Sequence, residues 1–327
     1  MSSRQAPSAV VMVRPHRFTP NAETVADNVF QVDAPGDVGA TVLARRAFDE
    51  VTALAEALRS HGVDVRLFDD TGSTTPDSVF PNNWFSTHHG GHVALYPMFS
   101  PSRRGERRAD VVEMLKADFR VQDVIDYSGL EHDRLFLEGT GAMVLDHDER
   151  VAYVARSNRA DPIVLERFCT NFGYEPMAFD AVDGAGVAIY HTNVLMCVAA
   201  EYALVGLDAI TDTARRREVA ERLGVGGREV VALSRAQVFE FAGNAFEMCG
   251  SQGSVLAMSS RAKRALDRDQ LARIEAHSTV VAVDVPTIEL AGGSVRCMLA
   301  GIHLTPRATP DAGAGDPDPS LPSVAAA

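Results

Sequence analysis

Five polar residues recur at a nearly fixed spacing and could together carry out nucleophilic chemistry. They are Asn83, Glu138, His191, Asn244 and Cys297, and successive members lie 55, 53, 53 and 53 positions apart. A cysteine attacks as its thiolate, and a free thiol with a pKa of about 8.5 needs a base or cation beside it near neutral pH. The spacing predicts that the five side chains meet at one place, where His191 activates the thiol of Cys297.

The histidine and the glutamate complete a catalytic set. His191 can take the thiol proton, then protonate a leaving amine and activate water. Glu138 can accept a hydrogen bond from His191 or from substrate N–H groups, and its charge is expected to raise the pKa of the imidazole. Gly292 and Gly293 shortly precede Cys297, and glycines there let the backbone approach a small ligand closely. The predicted chemistry is attack by Cys297 on a carbon bonded to nitrogen.

The elements that position these residues form a repeat. After each of the first four comes a first apolar strand, a turn, a second strand, an amphipathic helix and a third strand, which is a ββαβ unit. The last run, RCMLAGIHL, has no helix after it and is expected to pair with VVMVRP near the N-terminus. The sequence thus predicts a closed ring of five units in a single α/β domain, and an open α/β sheet is the alternative. Helices are expected at 40–61, 106–118, 161–172, 212–223 and 261–275.

Composition limits the class of protein. The catalytic domain is expected to span 9–304, between a flexible N-terminus at 1–8 and a disordered tail at 305–327 rich in proline, glycine, aspartate and alanine. A net charge of -13 with no basic stripe disfavours a nucleic-acid partner. No apolar run reaches the roughly 18 residues of a membrane span, and no signal peptide is recognisable. With four scattered cysteines, these features predict reduced thiols in a cytoplasmic protein that does not bind membranes.

Other conspicuous groups have simpler explanations than a metal or cofactor site. The HHGGH segment at 88–92 is predicted to be a solvated turn, because no carboxylate accompanies it to complete a metal site. The GVGG run at 224–227 ends a helix, whereas a dinucleotide-binding site has its glycines between a strand and a helix. The cysteines other than Cys297 lie in apolar runs and are expected in the core. Neither a metal nor a cofactor is expected.

At these residues the chain resembles the amidinotransferase, or pentein, superfamily, which includes arginine deiminase, dimethylarginine hydrolase and agmatine deiminase. The resemblance covers about residues 8–304 and is carried by FLEGTGAMVLD, HTN and GGSVRCM. It implies a five-bladed α/β propeller with pseudo-fivefold symmetry, in which Cys297, His191 and Glu138 are catalytic. The segments FPNNWFST, ALYPMFSPSRRGERR and FAGN resemble, more narrowly, the citrulline-utilisation hydrolases, or arginine-deiminase-related proteins.

This narrower resemblance implies hydrolysis of a small amino-acid substrate, citrulline, to ornithine, carbon dioxide and ammonia through an S-carbamoyl intermediate. Deiminases hold the guanidinium group with two aspartates, and the matching positions here are Asn83 and Asn193. An amide both donates and accepts hydrogen bonds, which suits a ureido group, whereas a guanidinium between neutral amides loses charge pairing. Asn83, Asn193 and Asn244 are therefore expected to bind a ureido substrate.

Arginines are expected to bind the substrate carboxylate, because a planar guanidinium matches its geometry. Arg159, in ARSNRA, resembles a deiminase site of this kind, and Arg104 is the choice from the RRGERR run. Two other functions stay open: a guanidino hydrolase or amidinotransferase acting on arginine, methylarginine or agmatine, and a non-catalytic binding protein. The sequence does not fix the oligomeric state, and a homo-oligomer is compatible with it.

Overall fold

Five small sheets make up the fold. The computed structural model describes residues 5–32, 34, 36 and 38–307, and the strands in this part of the chain form five three-stranded sheets. In each sheet the middle strand pairs antiparallel with one neighbour and parallel with the other. The parallel partner always follows a helix, because a parallel pair needs a long crossover connection. The predicted fivefold ββαβ arrangement is confirmed.

Four sheets use consecutive strands, and one joins the two ends of the chain. The sheet orders are β15-β1-β2, β3-β4-β5, β6-β7-β8, β9-β10-β11 and β12-β13-β14, with the strands β1 (Ala9–Pro15), β2 (Asp64–Asp70), β3 (Phe85–His88), β4 (His92–Leu95), β5 (Asp123–Asp126), β6 (Met143–Asp146), β7 (Val151–Ala155), β8 (Glu175–Phe179), β9 (Met196–Val198), β10 (Tyr202–Val205), β11 (Glu229–Ala232), β12 (Phe246–Gly250), β13 (Gly253–Ser259), β14 (Thr279–Val283) and β15 (Ala300–Gly301). Because Val10 of β1 lies opposite Gly301 of β15, the last strand closes the ring on the first unit.

Helices connect the second and third strands of each sheet, and shorter ones lead into the first strands. In chain order they are α1 (Ala40–Ser60), α2 (Ala109–Asp118), α3 (Gly139–Ala142), α4 (Pro162–Phe172), α5 (Thr213–Leu223), α6 (Arg235–Phe239), α7 (Ser260–Ala265), α8 (Arg268–Glu275) and α9 (Pro286–Glu289). None of the helices in the described residues is both long and apolar enough to cross a membrane.

Two of the predicted helices differ from the observed ones. The helix predicted over 261–275 is interrupted, because Leu266 is extended and the Asp267 side chain caps a new helix by accepting from the Gln270 backbone N–H. The helix predicted from residue 106 begins at Ala109, after a 3-10 turn over Pro101–Glu106. Both differences are local and leave the ββαβ order intact.

Helices and sheets pack through the faces that the periodicity predicts. Helix α1 buries Ala47, Val51, Leu54 and Leu58, the residues expected on its apolar face. Every residue of the middle strands β7 and β10 is buried, because these strands are covered on both faces. The packed layers hold the ends of the first strands in fixed positions, and those ends carry the candidate functional residues.

The HHGGH turn departs from the prediction. His88 ends β3 and is buried, its ring centroid lies 4.3 Å from that of Phe172, and its Nε2 lies 2.7 Å from Ser86 Oγ. Burial lowers the pKa of His88 well below the ordinary value for histidine. The prediction of a solvated turn is therefore wrong for His88, because β3 is buried on both faces.

The ends of the domain are also more ordered than expected. Gln5 is buried and donates two hydrogen bonds to backbone carbonyls of neighbouring sheets, at 3.0 and 2.9 Å. Pro306 forms a β-bridge with Phe119. The expected flexible and disordered ends are thus wrong for residues 5–8 and 305–307, whereas 1–4 and 308–327 lie outside the described residues.

Candidate active site

The structure brings the five repeat residues together. Each lies within a short helical turn before the first strand of its sheet, or within two residues of that turn or strand. Asn193 and Asn244 both donate to the sulfur of Cys297. His191 contacts Glu138, and a cavity is lined by His191 and Cys297 together with Asn83. The five sheets therefore present their equivalent positions to one site, although Cys297 lies in a 3-10 turn over Val295–Met298 rather than in the expected strand.

Two amide groups point at the buried thiol. Cys297 is 2% exposed, and its Sγ lies 3.2 Å from Asn193 Nδ2 and 3.3 Å from Asn244 Nδ2. The Asn244 side chain is fixed in this orientation because its Oδ1 accepts from the Arg296 backbone N–H at 3.0 Å. N–H donors aimed at the sulfur stabilise negative charge there.

The imidazole is held as a neutral base. His191 Nε2 lies 2.8 Å from Glu138 Oε2. Burial raises the pKa of Glu138, but Arg159, the hydrogen bond from His191 and Arg103 together hold it well below its usual range. An ionised carboxylate only accepts, so Nε2 carries the ring proton and Nδ1 keeps a free lone pair.

Burial also decides the charge of the imidazole. Desolvation lowers the pKa of His191 to about 4, and the hydrogen bond and charge of Glu138 offset only part of this effect. The charge of Glu138 raises the pKa of the imidazole, as expected, but desolvation and two nearby arginines outweigh the carboxylate, so the net pKa is lowered. Near neutral pH His191 is therefore uncharged.

Two buried arginines lie beside the glutamate. Arg159 Nη1 is 3.3 Å from Glu138 Oε2, and Arg103 Nη1 is 3.5 Å from the same oxygen. Both arginines line the cavity, and each side chain is only 2% exposed. Arg103 also forms a two-point ion pair with Glu106, with both N–O distances at 2.9 Å. A pair of cations is thus fixed at the wall of the cavity.

Arg104 lies outside this cavity, contrary to the sequence prediction. Its Nε donates to the Met98 carbonyl at 3.3 Å, and about a third of its side chain is exposed beside Glu131. Consecutive residues in a 3-10 turn are rotated by about 120°. Arg103 therefore points inward and Arg104 outward, and Arg103 takes the place that the prediction gave to its neighbour.

A carboxylate that the sequence did not indicate also lines the cavity. Asp77 Oδ2 accepts from Asn21 Nδ2 at 2.8 Å and lies 3.6 Å from Arg103 Nε, whereas Oδ1 is buried without a hydrogen-bond partner in the described part of the chain. Burial raises the pKa of Asp77, although Arg103 and the hydrogen bond from Asn21 lower it. A single aspartate in a TTPDS loop has ordinary turn composition, so no sequence signal distinguishes Asp77.

The two asparagines at the deiminase aspartate positions have different surroundings. With its amide oriented to satisfy its neighbours, the Asn83 oxygen accepts from Nη1 and Nη2 of Arg103, both at 3.0 Å. Asn193 has a buried Oδ1 with no hydrogen-bond partner among the described residues. Asn193 thus offers a free acceptor beside the sulfur, whereas Asn83 is engaged with an arginine.

The cavity is closed in this conformation. Its volume is about 10 Å³, which is room for about one water molecule. Thr24 and Asn28 cover it from the segment 17–32. A Cβ on Gly292, whose φ is +77°, would overlap the Asn28 amide, and one on Gly293 would lie 2.7 Å from the Phe80 ring. The glycines expected to admit a ligand instead admit these two side chains.

Comparisons with known proteins identify the family of this chain. The family model of the eukaryotic N,N-dimethylarginine dimethylhydrolases matches residues 14–304. The chain belongs to this family. It is a member of the pentein superfamily and an enzyme that hydrolyses non-peptide C–N bonds of guanidino or ureido groups. A search of curated protein sequences found no significant match.

Solved structures with the same fold include arginine- and dimethylarginine-hydrolysing enzymes. The N-terminal domain of ArgZ, an arginine dihydrolase from the ornithine–ammonia cycle in cyanobacteria, shares 17% identity with a TM-score of 0.70, over 90% of this chain and 99% of that one. A variant of AgrE bound to L-arginine shares 20% identity with a TM-score of 0.67, over 90% of this chain and 40% of that one. A dimethylarginine dimethylaminohydrolase adduct with S-methyl-L-thiocitrulline shares 14% identity with a TM-score of 0.58, over 90% and 99% of the two chains. These likenesses establish the five-bladed fold.

Proposed function

We propose that this enzyme hydrolyses the guanidino group of an arginine-type α-amino acid, with Cys297 as the nucleophile. The charge of the site carries this proposal. Four buried or half-buried carboxylates lie within 4 Å of only two guanidinium groups: Asp77, Glu106 and Glu138 around Arg103, and Asp27 and Glu138 around Arg159. Burial raises the pKa of Glu106 to about 8, so at most three ionised carboxylates face the two guanidinium groups near neutral pH. One carboxylate therefore lacks a cation of its own, and a buried charge without a partner is costly. A cationic guanidinium substrate supplies the missing charge, and a neutral ureido group does not.

Asp77 weakens the case for a ureido substrate that rested on Asn83 and Asn193. The sequence suggested a pocket with amides alone around the substrate, in which a guanidinium would lose its charge pairing. The free Oδ1 of Asp77 and the ionised Glu138 instead give the cavity two carboxylates. The comparisons point the same way, since ArgZ and the matching family act on arginine and dimethylarginine.

The same residues fit the head group of an α-amino acid. A planar guanidinium binds a carboxylate through two parallel hydrogen bonds, and Arg159 presents such a group at the cavity wall. Arg103, whose N–H groups contact Glu106, Glu138 and Asn83, adds a second positive charge there. The unpartnered Asp77 oxygen is a suitable acceptor for an α-ammonium group. We assign these three residues to the head group, and Glu138 and Asn193 to the group that reacts.

The reaction follows from the protonation states. His191 takes the thiol proton, and the thiolate of Cys297 adds to the guanidino carbon while Asn193 and Asn244 donate to the sulfur. The imidazolium then protonates the departing nitrogen, which leaves as ammonia or a methylated amine and gives a thiouronium intermediate on the sulfur. Water, deprotonated by His191, adds to the same carbon, the thiolate leaves, and a ureido amino acid is released.

Hydrolysis of citrulline is a second candidate. It is favoured by the amides of Asn83 and Asn193, which stand where deiminases have carboxylates, and by the free Asn193 Oδ1 that could accept from a ureido N–H. In this reaction the thiolate adds to the ureido carbon, ornithine leaves after protonation by the imidazolium, and water releases the S-carbamoyl group as carbamate. An enzyme that uses arginine could then carry its own product through this second step.

Side-by-side assays distinguish these functions. Purified enzyme is incubated with L-arginine, dimethyl-L-arginine, agmatine and L-citrulline, and released amines and amino-acid products are quantified. We expect turnover of an arginine-type compound, loss of turnover in Cys297→Ala, and retention in Cys249→Ser, the matched control at a partly exposed cysteine outside the site. Turnover of citrulline alone selects the second candidate. No turnover at all, with Cys297 inert to iodoacetamide, leaves the non-catalytic binding protein.

A further inference from the structure

The segment 17–32 covers the cavity and contacts two of the residues to which we assign binding of the substrate head group. Asp27 forms a two-point ion pair with Arg159, with Oδ2 3.0 Å from Nε and Oδ1 2.7 Å from Nη2. Asn21 Nδ2 donates to Asp77 Oδ2 at 2.8 Å. A carboxylate thus lies on one head-group residue and an N–H donor on another. This is the pattern of the α-carboxylate and α-ammonium groups of an amino acid.

We infer that Asp27 occupies the carboxylate position of the substrate in the closed, substrate-free enzyme, that Asn21 occupies the part of the ammonium position on Asp77 Oδ2 beside the free Oδ1, and that substrate binds by exchanging with both. This inference rests on the proposed function for the identity of the head-group residues. It makes the segment 17–32 a lid whose contacts compete with substrate. The exchange conserves charge pairing, because the buried guanidinium of Arg159 faces a carboxylate both before and after substrate binds.

The surroundings of Asp27 support an exchange rather than a permanent framework contact, whereas Asn21 is buried and also donates to Ser102 Oγ at 3.1 Å. The Asp27 side chain is 19% exposed, whereas that of Arg159 is 2% exposed, so the carboxylate approaches the arginine from the solvent side. The closed cavity of about 10 Å³ cannot hold an amino acid. Other lid contacts, from Asn28 to the Ala291 carbonyl and from Glu23 to Ser102, involve groups outside the proposed chemistry.

Competition by the lid has a measurable consequence. When only the open fraction of a protein binds ligand, the apparent dissociation constant is the intrinsic constant divided by that fraction. Removing the charge of Asp27 weakens the closed state, so a head-group ligand should bind more tightly. If Asp27 instead served to position Arg159 for substrate, its removal would weaken binding. The two roles predict opposite signs.

The test uses Asp27→Asn, which keeps the shape of the side chain and removes its charge. Alkylation of Cys297 by iodoacetamide is followed by peptide mass spectrometry, alone and with L-norvaline, which carries the head group without a guanidino or ureido group. We expect Asp27→Asn to speed alkylation about tenfold and to lower the half-protecting norvaline concentration about tenfold, as loss of one charge-assisted contact implies. Asn21→Leu should also speed alkylation, since it removes the donor to Asp77.

Asp49→Asn is the matched control, because Asp49 pairs with Arg45 on the exposed face of α1 and its loss should change neither readout. KM for arginine should fall in Asp27→Asn without loss of kcat. Unchanged alkylation, or weaker protection by norvaline, overturns the inference even if arginine is turned over. Faster alkylation and tighter protection support it even if no guanidino or ureido compound reacts, in which case the proposed function alone fails.

Discussion

Asp77 is the residue whose role most directly tests the assignment of the site. Replacing it with asparagine keeps the size of the side chain and the contact with Asn21 but removes the charge that faces the cavity. If the free Oδ1 accepts from the α-ammonium group of the substrate, the variant loses one charge-assisted hydrogen bond in a buried site. Such a bond contributes about 1.5–3 kcal/mol, so kcat/KM for L-arginine should fall about 10- to 150-fold.

The assay pairs this variant with a substrate that lacks the same group. L-Arginine and 5-guanidinopentanoic acid, which has no α-amino group, are compared in wild type and in Asp77→Asn. In wild type, kcat/KM for arginine should exceed that for 5-guanidinopentanoic acid by about the same factor by which Asp77→Asn lowers kcat/KM for arginine. In the variant, the two substrates should have similar kcat/KM values. Agmatine retains the amine and should lose activity in the variant as arginine does.

This comparison of two proteins with two substrates separates loss of ammonium recognition from general damage to the site, because disorder around Arg103 would reduce turnover of both substrates equally. An equal preference for arginine over 5-guanidinopentanoic acid in both proteins would show that Asp77 does not bind the ammonium group. The assignment of the head-group residues would then be wrong, although the nucleophile would be unaffected.

Three further predictions concern other parts of the structure. Arg104→Ala should leave KM for arginine within about twofold of wild type, because Arg104 lies at the surface. Arg103→Gln should raise this KM at least about tenfold, because a charge-assisted contact is lost. Equal effects of the two substitutions would contradict the inward placement of Arg103. Gly141→Ala should reduce kcat at least about 100-fold with a native circular dichroism spectrum, because its Cβ would overlap the side-chain amide of Asn83 and lie 2.8 Å from His191 Nδ1. Near-normal kcat would show that the site relaxes freely. His88 has a pKa well below 6.5, so its unfolded form binds more protons and stability is lost as pH falls below about 7. Between pH 7.5 and 5.5, the free energy of unfolding from urea titrations should therefore fall further in wild type than in His88→Gln, and parallel losses would contradict a buried neutral ring.

The sequence by itself determined the fivefold repeat of the fold and the place where its candidate functional residues meet. A residue of chemical interest recurs every 53 to 55 positions, and this spacing was enough to predict five equivalent units and a common meeting point. The unpaired run around Cys297 and the unpaired strand near the N-terminus predicted closure of the ring, which the pairing of β15 with β1 confirms. Periodicity carries this information because each unit buries its apolar faces in the same way.

Tertiary structure alone decided which side chains share the cavity. Arg103 and Arg104 are adjacent and chemically identical, and only the phase of a 3-10 turn sends one inward and the other outward. Asp77 and Asp27 come from loops whose composition marks no site, yet each faces a buried arginine. Loop paths depend on contacts with distant segments, so local sequence does not specify them.

Charge states were also settled only by the packed molecule. The sequence predicted that Glu138 raises the pKa of His191, and it does, but it could not show that burial has the larger effect and lowers the pKa to about 4. His88 belongs to a polar run, yet both faces of its strand are covered and its ring is buried. A side chain's ionisation depends on how much water its neighbours exclude, and those neighbours are assembled from all five sheets.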